Sequence, residues 1–113
     1  MITGKTLRAF ALSLPEAEER ETWGEATFRV RDRIFTIMSP DERRAGVKAS
    51  LDDQAALVAA EPRTYRVAPY TGRYGWVSVT LRTVDPDEMR DLVTEAWRKT
   101  APKRLVKEFD ART

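Results

Sequence analysis

Trp76-Val77-Ser78-Val79-Thr80-Leu81-Arg82-Thr83-Val84-Asp85-Pro86-Asp87-Glu88-Met89-Arg90-Asp91-Leu92-Val93-Thr94-Glu95-Ala96-Trp97 changes its hydrophobic period once, and that change decides the fold. From Trp76 to Arg82 apolar and polar residues alternate, the pattern of a strand with one buried face. At Asp85 the pattern resets. Asp85 is an N-cap residue, Pro86 suits the first helical position and Glu88 places an acid at N3. Met89, Leu92, Val93, Ala96 and Trp97 then form one apolar stripe of helical period, with Arg98 and Lys99 suited to the negative C-terminal end of the helix dipole. A one-sided strand running into a one-sided helix can bury both apolar sides only by packing helix on sheet.

The same two periods recur toward the N-terminus. Leu7, Phe10, Ala11 and Leu14 fall at helical spacing behind Thr3, a candidate N-cap, and Pro15 ends that helix. Glu16 to Glu25 holds five Glu against one Arg and reads as a polar connection. From Thr27 the period is two. Phe28 and Val30 face one way, Arg31-Asp32-Arg33 turns, and Ile34 to Ser39 returns with Phe35 and Ile37 inward. A charged loop, Pro40 to Gly46, leads to a short strand at Val47-Lys48-Ala49. Ser50, with Asp53 three residues on, caps a second helix whose apolar face is Leu51, Ala55, Val58 and Ala59. Pro62 closes it, and Thr64 to Ala68 is a fourth strand before the glycine-containing loop of residues 69–75. After Pro102, Leu105, Val106 and Phe109 fit a short last helix. The reading is a two-layer α+β sandwich, α-β(3)-α-β(2)-α, with an antiparallel five-stranded sheet and its helices on one face.

Length and composition bound the chemistry. The 113 residues are one domain's worth, so residues 1–113 read as a single domain without repeats or linkers. There is no cysteine and no histidine, which removes the usual zinc and haem ligands, a Cys nucleophile and a Ser-His-Asp triad. No P-loop, dinucleotide fingerprint or calcium loop is present, so the expectation is a non-enzyme with no cofactor and no metal. The longest apolar run, Ala55 to Ala60, is far short of the ~20 residues of a membrane span. A cytoplasmic protein with no membrane contact is expected.

Sorting the strands by parity separates two sheet faces. Phe28, Val30, Phe35, Ile37, Val47, Val77, Val79 and Leu81 pack under the helices. Thr27, Arg29, Thr36, Lys48, Arg66, Trp76, Ser78, Thr80 and Arg82 form the open face, a basic and hydroxyl-rich set without an acid. The stretch Pro62 to Val84 carries Arg63, Arg66, Arg73 and Arg82 beside Tyr65, Tyr70, Tyr74 and Trp76, again without Asp or Glu. Arginine interleaved with aromatics is how single-stranded nucleic acid is held, guanidinium on phosphate and ring on base. Equally, arginine on an open antiparallel sheet is what a solvated face looks like. The net charge of +2 puts any affinity in a local patch rather than in the whole molecule.

Leu12-Ser13-Leu14-Pro15-Glu16-Ala17, Trp23-Gly24, Phe28-Arg29-Val30 with Ile34-Phe35, then Ala68-Pro69-Tyr70 and Gly72-Arg73-Tyr74-Gly75-Trp76-Val77 resemble the signatures of the MmcQ/YjbR family, and Lys48 fits as well. The resemblance spans essentially the whole chain. It implies the α-β(3)-α-β(2)-α fold, described as CyaY-like or secretion-chaperone-like, and a "double-wing" DNA-binding label. The chain departs from the family pattern at Asp32-Arg33, where the first hairpin usually has Gly-Lys, and at Ala96-Trp97, in place of a Ser-Tyr pair. The first helix holds no Asp or Glu, so the acidic ridge of iron-binding frataxin-like relatives is missing. Two functions are therefore expected. One is DNA binding, single- or double-stranded and without sequence preference, through Arg29, Lys48, Arg66, Arg73, Arg82, Tyr70, Tyr74 and Trp76. The other is a chaperone-like or protein-interaction adaptor, self-associating through the open sheet or a strand edge. A small-ligand domain is the third class.

Overall fold

Three side chains decide where helices start. The hydroxyls of Thr3 and Ser50 and the carboxylate of Asp85 accept the backbone N–H three residues on, from Thr6 at 3.2 Å, Asp53 at 3.1 Å and Glu88 at 3.0 Å. They open α1 (Gly4–Leu12), α2 (Leu51–Ala60) and α3 (Pro86–Thr100) in the computed structural model, which describes residues 1–112. A fourth helix, α4 (Lys103–Arg112), follows α3 across Ala101-Pro102. The strands are β1 (Ala17–Thr22), β2 (Glu25–Val30), β3 (Arg33–Met38), β4 (Arg44–Val47), β5 (Tyr65–Val67) and β6 (Val77–Thr80). They form one sheet in the order β1-β2-β3-β4-β6-β5, antiparallel throughout. The α+β class with helices against one sheet face is as the two periods require.

The strand β1 corrects the reading of Glu16 to Glu25 as a polar connection. Its side chains are mostly exposed, so no apolar alternation marks it, and its register comes from the turn Trp23-Gly24. Both turn residues have left-handed backbone, φ 56° and 82°, the geometry of a two-residue hairpin. The next turn does the same at Arg31 and Asp32, φ 50° and 69°, where Asp stands in for glycine. Charged residues along β1 protect this sheet edge from pairing with other chains.

A β-bulge corrects the face assignment in β3. Phe28 lies opposite Thr36 but Arg29 lies opposite Ile34, leaving Phe35 as the extra residue. Phe35 and Thr36 are consequently both fully buried on the helix side. Ile37, expected inward, shares the open face with its partners Thr27 and Gly46. Strand β4 also begins earlier than expected and ends at Val47, so the anticipated strand at residues 47–49 is displaced.

The core joins Phe28, Val30, Phe35, Met38, Val47, Val77, Val79 and Leu81 of the sheet side to Leu7 and Ala11 of α1 and Met89, Val93, Ala96 and Trp97 of α3. Each large apolar side chain so buried contributes roughly 1.5–3 kcal/mol. Trp97 meets the Phe109 ring of α4 edge-on at 5.0 Å and donates its Nε1–H to the Pro15 carbonyl at 3.0 Å. The residue at the family's Tyr position is thus a structural one here. Helix α2 turns a different side inward than its apolar spacing predicts: Leu51, Ala55 and Ala59 are exposed, while Gln54 is buried with Leu57 and Val58 beside it.

Candidate nucleic-acid interface

One cross-strand row crosses the open face from edge to edge: Arg20, Thr27, Ile37, Gly46, Ser78, Arg66. Its two halves differ in charge. On the β1–β2 side, Glu18 lies opposite Arg29 and Glu25 opposite Thr22, so this face does hold acids, contrary to the parity sorting that omitted β1. Arg20 donates to Glu18 at 3.0 Å and to Asp32. The Arg29 guanidinium donates from Nε to the Thr27 hydroxyl at 3.1 Å and from Nη2 to that of Thr22 at 3.0 Å, with the Asp32 carboxylate 3.8 Å away. Arg31 pairs with Glu16, whose carboxyl this bond holds below its usual range. The arginines here tie the two hairpin strands and their turns together.

The β4–β6–β5 side has no such compensation. Arg44 lies opposite Thr80 and Arg66 opposite Ser78, and among the described residues neither Arg44, Arg66, Arg73 nor Arg82 makes an ion pair. Trp76 precedes β6 with the parity of Ser78. Its ring carbon Cε3 lies 3.8 Å from where a Cβ on Gly46 would sit, so the half-buried indole lies across β4. Arg66 is its diagonal neighbour on β5, within reach for a long side chain.

The loop from Ala68 to Trp76 is held by features that apolar pattern does not reveal. Buried Gln54 donates from Nε2 to the Gly72 carbonyl at 2.8 Å and to the Trp76 carbonyl at 2.7 Å. A short 3₁₀ turn spans Gly72–Tyr74 and ends at Gly75, φ 101°, where a Cβ would come within 2.4 Å of the Ala49 carbonyl oxygen. Only glycine fits there. On this pinned loop Tyr70 is 95% and Tyr74 63% exposed, and the Arg73 guanidinium stacks 4.8 Å from the Tyr74 ring centroid. Leu51, adjoining Gly75, and Val67, against Gly72, are also more than half exposed. Four of the exposed large hydrophobics therefore share one corner of the molecule.

The eight anticipated residues do not form one surface. Trp76 and Arg66 share the open face, whereas Tyr70, Arg73 and Tyr74 lie on the loop after β5, whose Gly72 meets the helix-side residue Val67 and whose carbonyls Gln54 of α2 binds. Arg29 is on that face too, but half-buried and engaged internally. Lys48 is not on it: β4 ends before it, and Lys48 lines a cleft of about 270 Å³ between α2 and α3 with Leu57, Leu92 and four carboxylates. Arg82 lies beyond the far end of β6, in the turn that follows Thr80, with the length of that strand between it and Trp76. Sequence reasoning missed Arg44, for which a corrected β4 register was needed, and Gln54. The latter's signal was an amide directly ahead of the apolar run Ala55 to Ala60.

The fold and this surface define a small α+β domain with a bare, partly basic antiparallel sheet face and an aromatic loop at one corner. The YjbR family model matches residues 12–99, and the chain belongs to that family. It is 40% identical over 90 residues to "Uncharacterized protein Rv2570" of Mycobacterium tuberculosis, and equally to "Uncharacterized protein Mb2600" of Mycobacterium bovis, covering 75% of this chain and 70% of each relative. The crystal structure of Deinococcus radiodurans protein DR2400, a DUF419 domain, superposes with a TM-score of 0.80 at 22% identity, over 88% of this chain and 78% of that one. This likeness shows the shared fold. No helix among the described residues is long and apolar enough to cross a membrane.

Proposed function

We propose that this chain is a non-enzymatic nucleic-acid-binding module that takes single-stranded DNA, without sequence preference, across the β5–β6 half of its open sheet face. The observation that carries this reading is an arginine without an ion pair among the described residues set beside a ring at two places, Arg66 diagonal to Trp76 and Arg73 over Tyr74. Phosphates meet the guanidinium groups, and bases stack on Tyr70, Tyr74 or Trp76, a mode that tolerates any base because every base has a π face. A held loop loses little conformational freedom on binding. A cytoplasmic setting goes with this reading.

Fluorescence anisotropy with labelled oligonucleotides at several salt concentrations tests it. Binding is expected to weaken steeply with salt and to quench tryptophan. Replacing Arg66 and Arg73 by Gln lowers the salt slope by about 1.4, at ~0.7 per phosphate released. Removing both Tyr rings costs about 1–3 kcal/mol per stacked base. Absence of binding at low salt refutes the proposal.

A protein-interaction adaptor is the second reading, favoured by Leu51 and Val67, whose exposed aliphatic groups offer bases nothing to stack on. It predicts that Leu51→Ser with Val67→Ser abolishes self-association in light scattering or capture of a protein partner, and leaves oligonucleotide affinity unchanged.

A further inference from the structure

We propose that a depression at the opposite end of the sheet, between the start of α1 and the ends of β4 and β6, is a separate binding site for a phosphate group. The depression measures about 820 Å³ and is lined by Thr3, Arg43, Arg44, Thr80 and Arg82. Its arginines are brought together by the backbone ladder. Arg44 is the register partner of Thr80, and the Leu81 N–H donates to the Arg43 carbonyl at 3.0 Å. Arg44 and Arg82 therefore hold diagonal positions across the ladder, within reach of each other for long side chains, and Arg43 precedes Arg44 at the edge of the same depression. None of the three makes an ion pair among the described residues.

Two acids also line the depression, and each has its own partners. Asp41 accepts from the Ser39 hydroxyl at 2.7 Å and from the Arg43 backbone N–H at 3.0 Å, contacts that hold its carboxyl below the usual range. Glu42 packs against Gly4 and accepts from Arg8 Nη1 at 3.2 Å. Three guanidinium groups and two carboxylates line the depression, and Arg8, which pairs Glu42 from outside it, is shared with Glu19. Planar guanidinium groups lining one concavity are suited to bind the tetrahedral oxygens of phosphate bidentately. The hydroxyls of Thr80 and Thr3 supply further donors. The site stands at the opposite end of β6 from the aromatic loop and does not depend on that loop's function.

The phosphate has two possible sources, a free phosphorylated small molecule or a nucleic-acid backbone, and calorimetry with inorganic pyrophosphate beside anisotropy with a thymidine oligonucleotide separates them. The full chain is compared with an R43Q/R44Q/R82Q variant and with an R63Q/R104Q control, circular dichroism confirming that each is folded. Loss of pyrophosphate affinity by about tenfold or more in the triple variant alone supports the site for a small phosphorylated ligand. Loss of oligonucleotide affinity alone, with no pyrophosphate binding to the parent, supports it for backbone phosphate. Equal binding of both probes by the triple variant and the parent overturns it. Should the triple variant not fold, Arg82→Lys keeps the charge without the fork. A several-fold weakening supports the site, and unchanged affinity for both probes overturns it. Variants of Tyr70 and Tyr74, assayed in parallel, report on the aromatic loop independently.

Discussion

Thr36 carries a hydroxyl into the core: its Oγ1 is buried without a partner among the described residues, on the face it shares with Phe28 and Val47. An unsatisfied buried hydroxyl costs about 1–3 kcal/mol, so Thr36→Val, which keeps the branched shape, is expected to raise stability by about 1 kcal/mol. Urea unfolding reads this as a higher midpoint at unchanged slope, and a lower midpoint contradicts it. Trp97 presents the converse case. Trp97→Phe removes the donor to the Pro15 carbonyl and part of the ring contact with Phe109, and is expected to cost about 2–3 kcal/mol. Arg29→Gln is expected to lower stability, because it unties the Thr22 and Thr27 contacts, and to leave the salt slope of any nucleic-acid binding unaltered. None of these roles is legible from residue type. A threonine or an arginine at an alternating position looks the same whether it ends on solvent, on another strand or in the core.

At the scale of elements, the loop from Ala68 to Trp76 is an appendage of α2. Gln54→Leu removes one of the two donors to each of the Gly72 and Trp76 carbonyls, which keep the N–H of Gly75 at 3.0 Å and of Ala68 at 3.2 Å, at a cost of about 1 kcal/mol. Hydrogen exchange in the loop should accelerate while that of α3 is less affected, and oligonucleotide affinity should fall several-fold as the rings lose their fixed positions. Intact loop protection in the variant contradicts this. Gly75→Ala forces a Cβ onto the Ala49 carbonyl at a left-handed position, and is expected to be more disruptive still. The capped helices, the alternating strand β6 and the Asp32 turn were readable because each is specified by local chemistry. Strand β1 was not, since an edge strand of Glu and Arg carries no burial alternation. The bulge in β3 was not, because one extra residue shifts every later side chain to the other face.

Over the whole molecule, the absence of histidine leaves no side chain that ordinarily titrates between about pH 5 and 7. Stability should therefore be flat there. Below it, Asp41 and Glu16 titrate lower in the folded chain than in the unfolded one, so the unfolded state binds more protons. Their contribution is complete above the ordinary carboxyl values of 3.8 and 4.5 and is lost as pH falls through the depressed folded values. At the alkaline end, burial first and the bond to Glu88 second raise the Tyr65 phenol above its ordinary 10.0. Its contribution is whole below that value and declines as pH rises beyond it. Thermal midpoints measured across pH check both limbs; a transition centred near pH 6 would contradict them.

The sequence by itself determined the class of this fold, the helix starts, the glycine loop and the exclusion of His- and Cys-dependent chemistry. Each of these follows from local periodicity, capping or composition. Only the tertiary structure decided which charges meet. The pairing of β1 with β2 brings Arg20 to Asp32, while Arg66 and Arg73 make no ion pair among the described residues. The β4–β6 ladder gathers Arg43, Arg44 and Arg82, and the end of β4 turns Lys48 into the helix cleft. The physical reason is that a side chain's periodicity records whether it is buried along its own element. Its electrostatic neighbours come from strands distant in the chain, through registers that turns and a single bulge set.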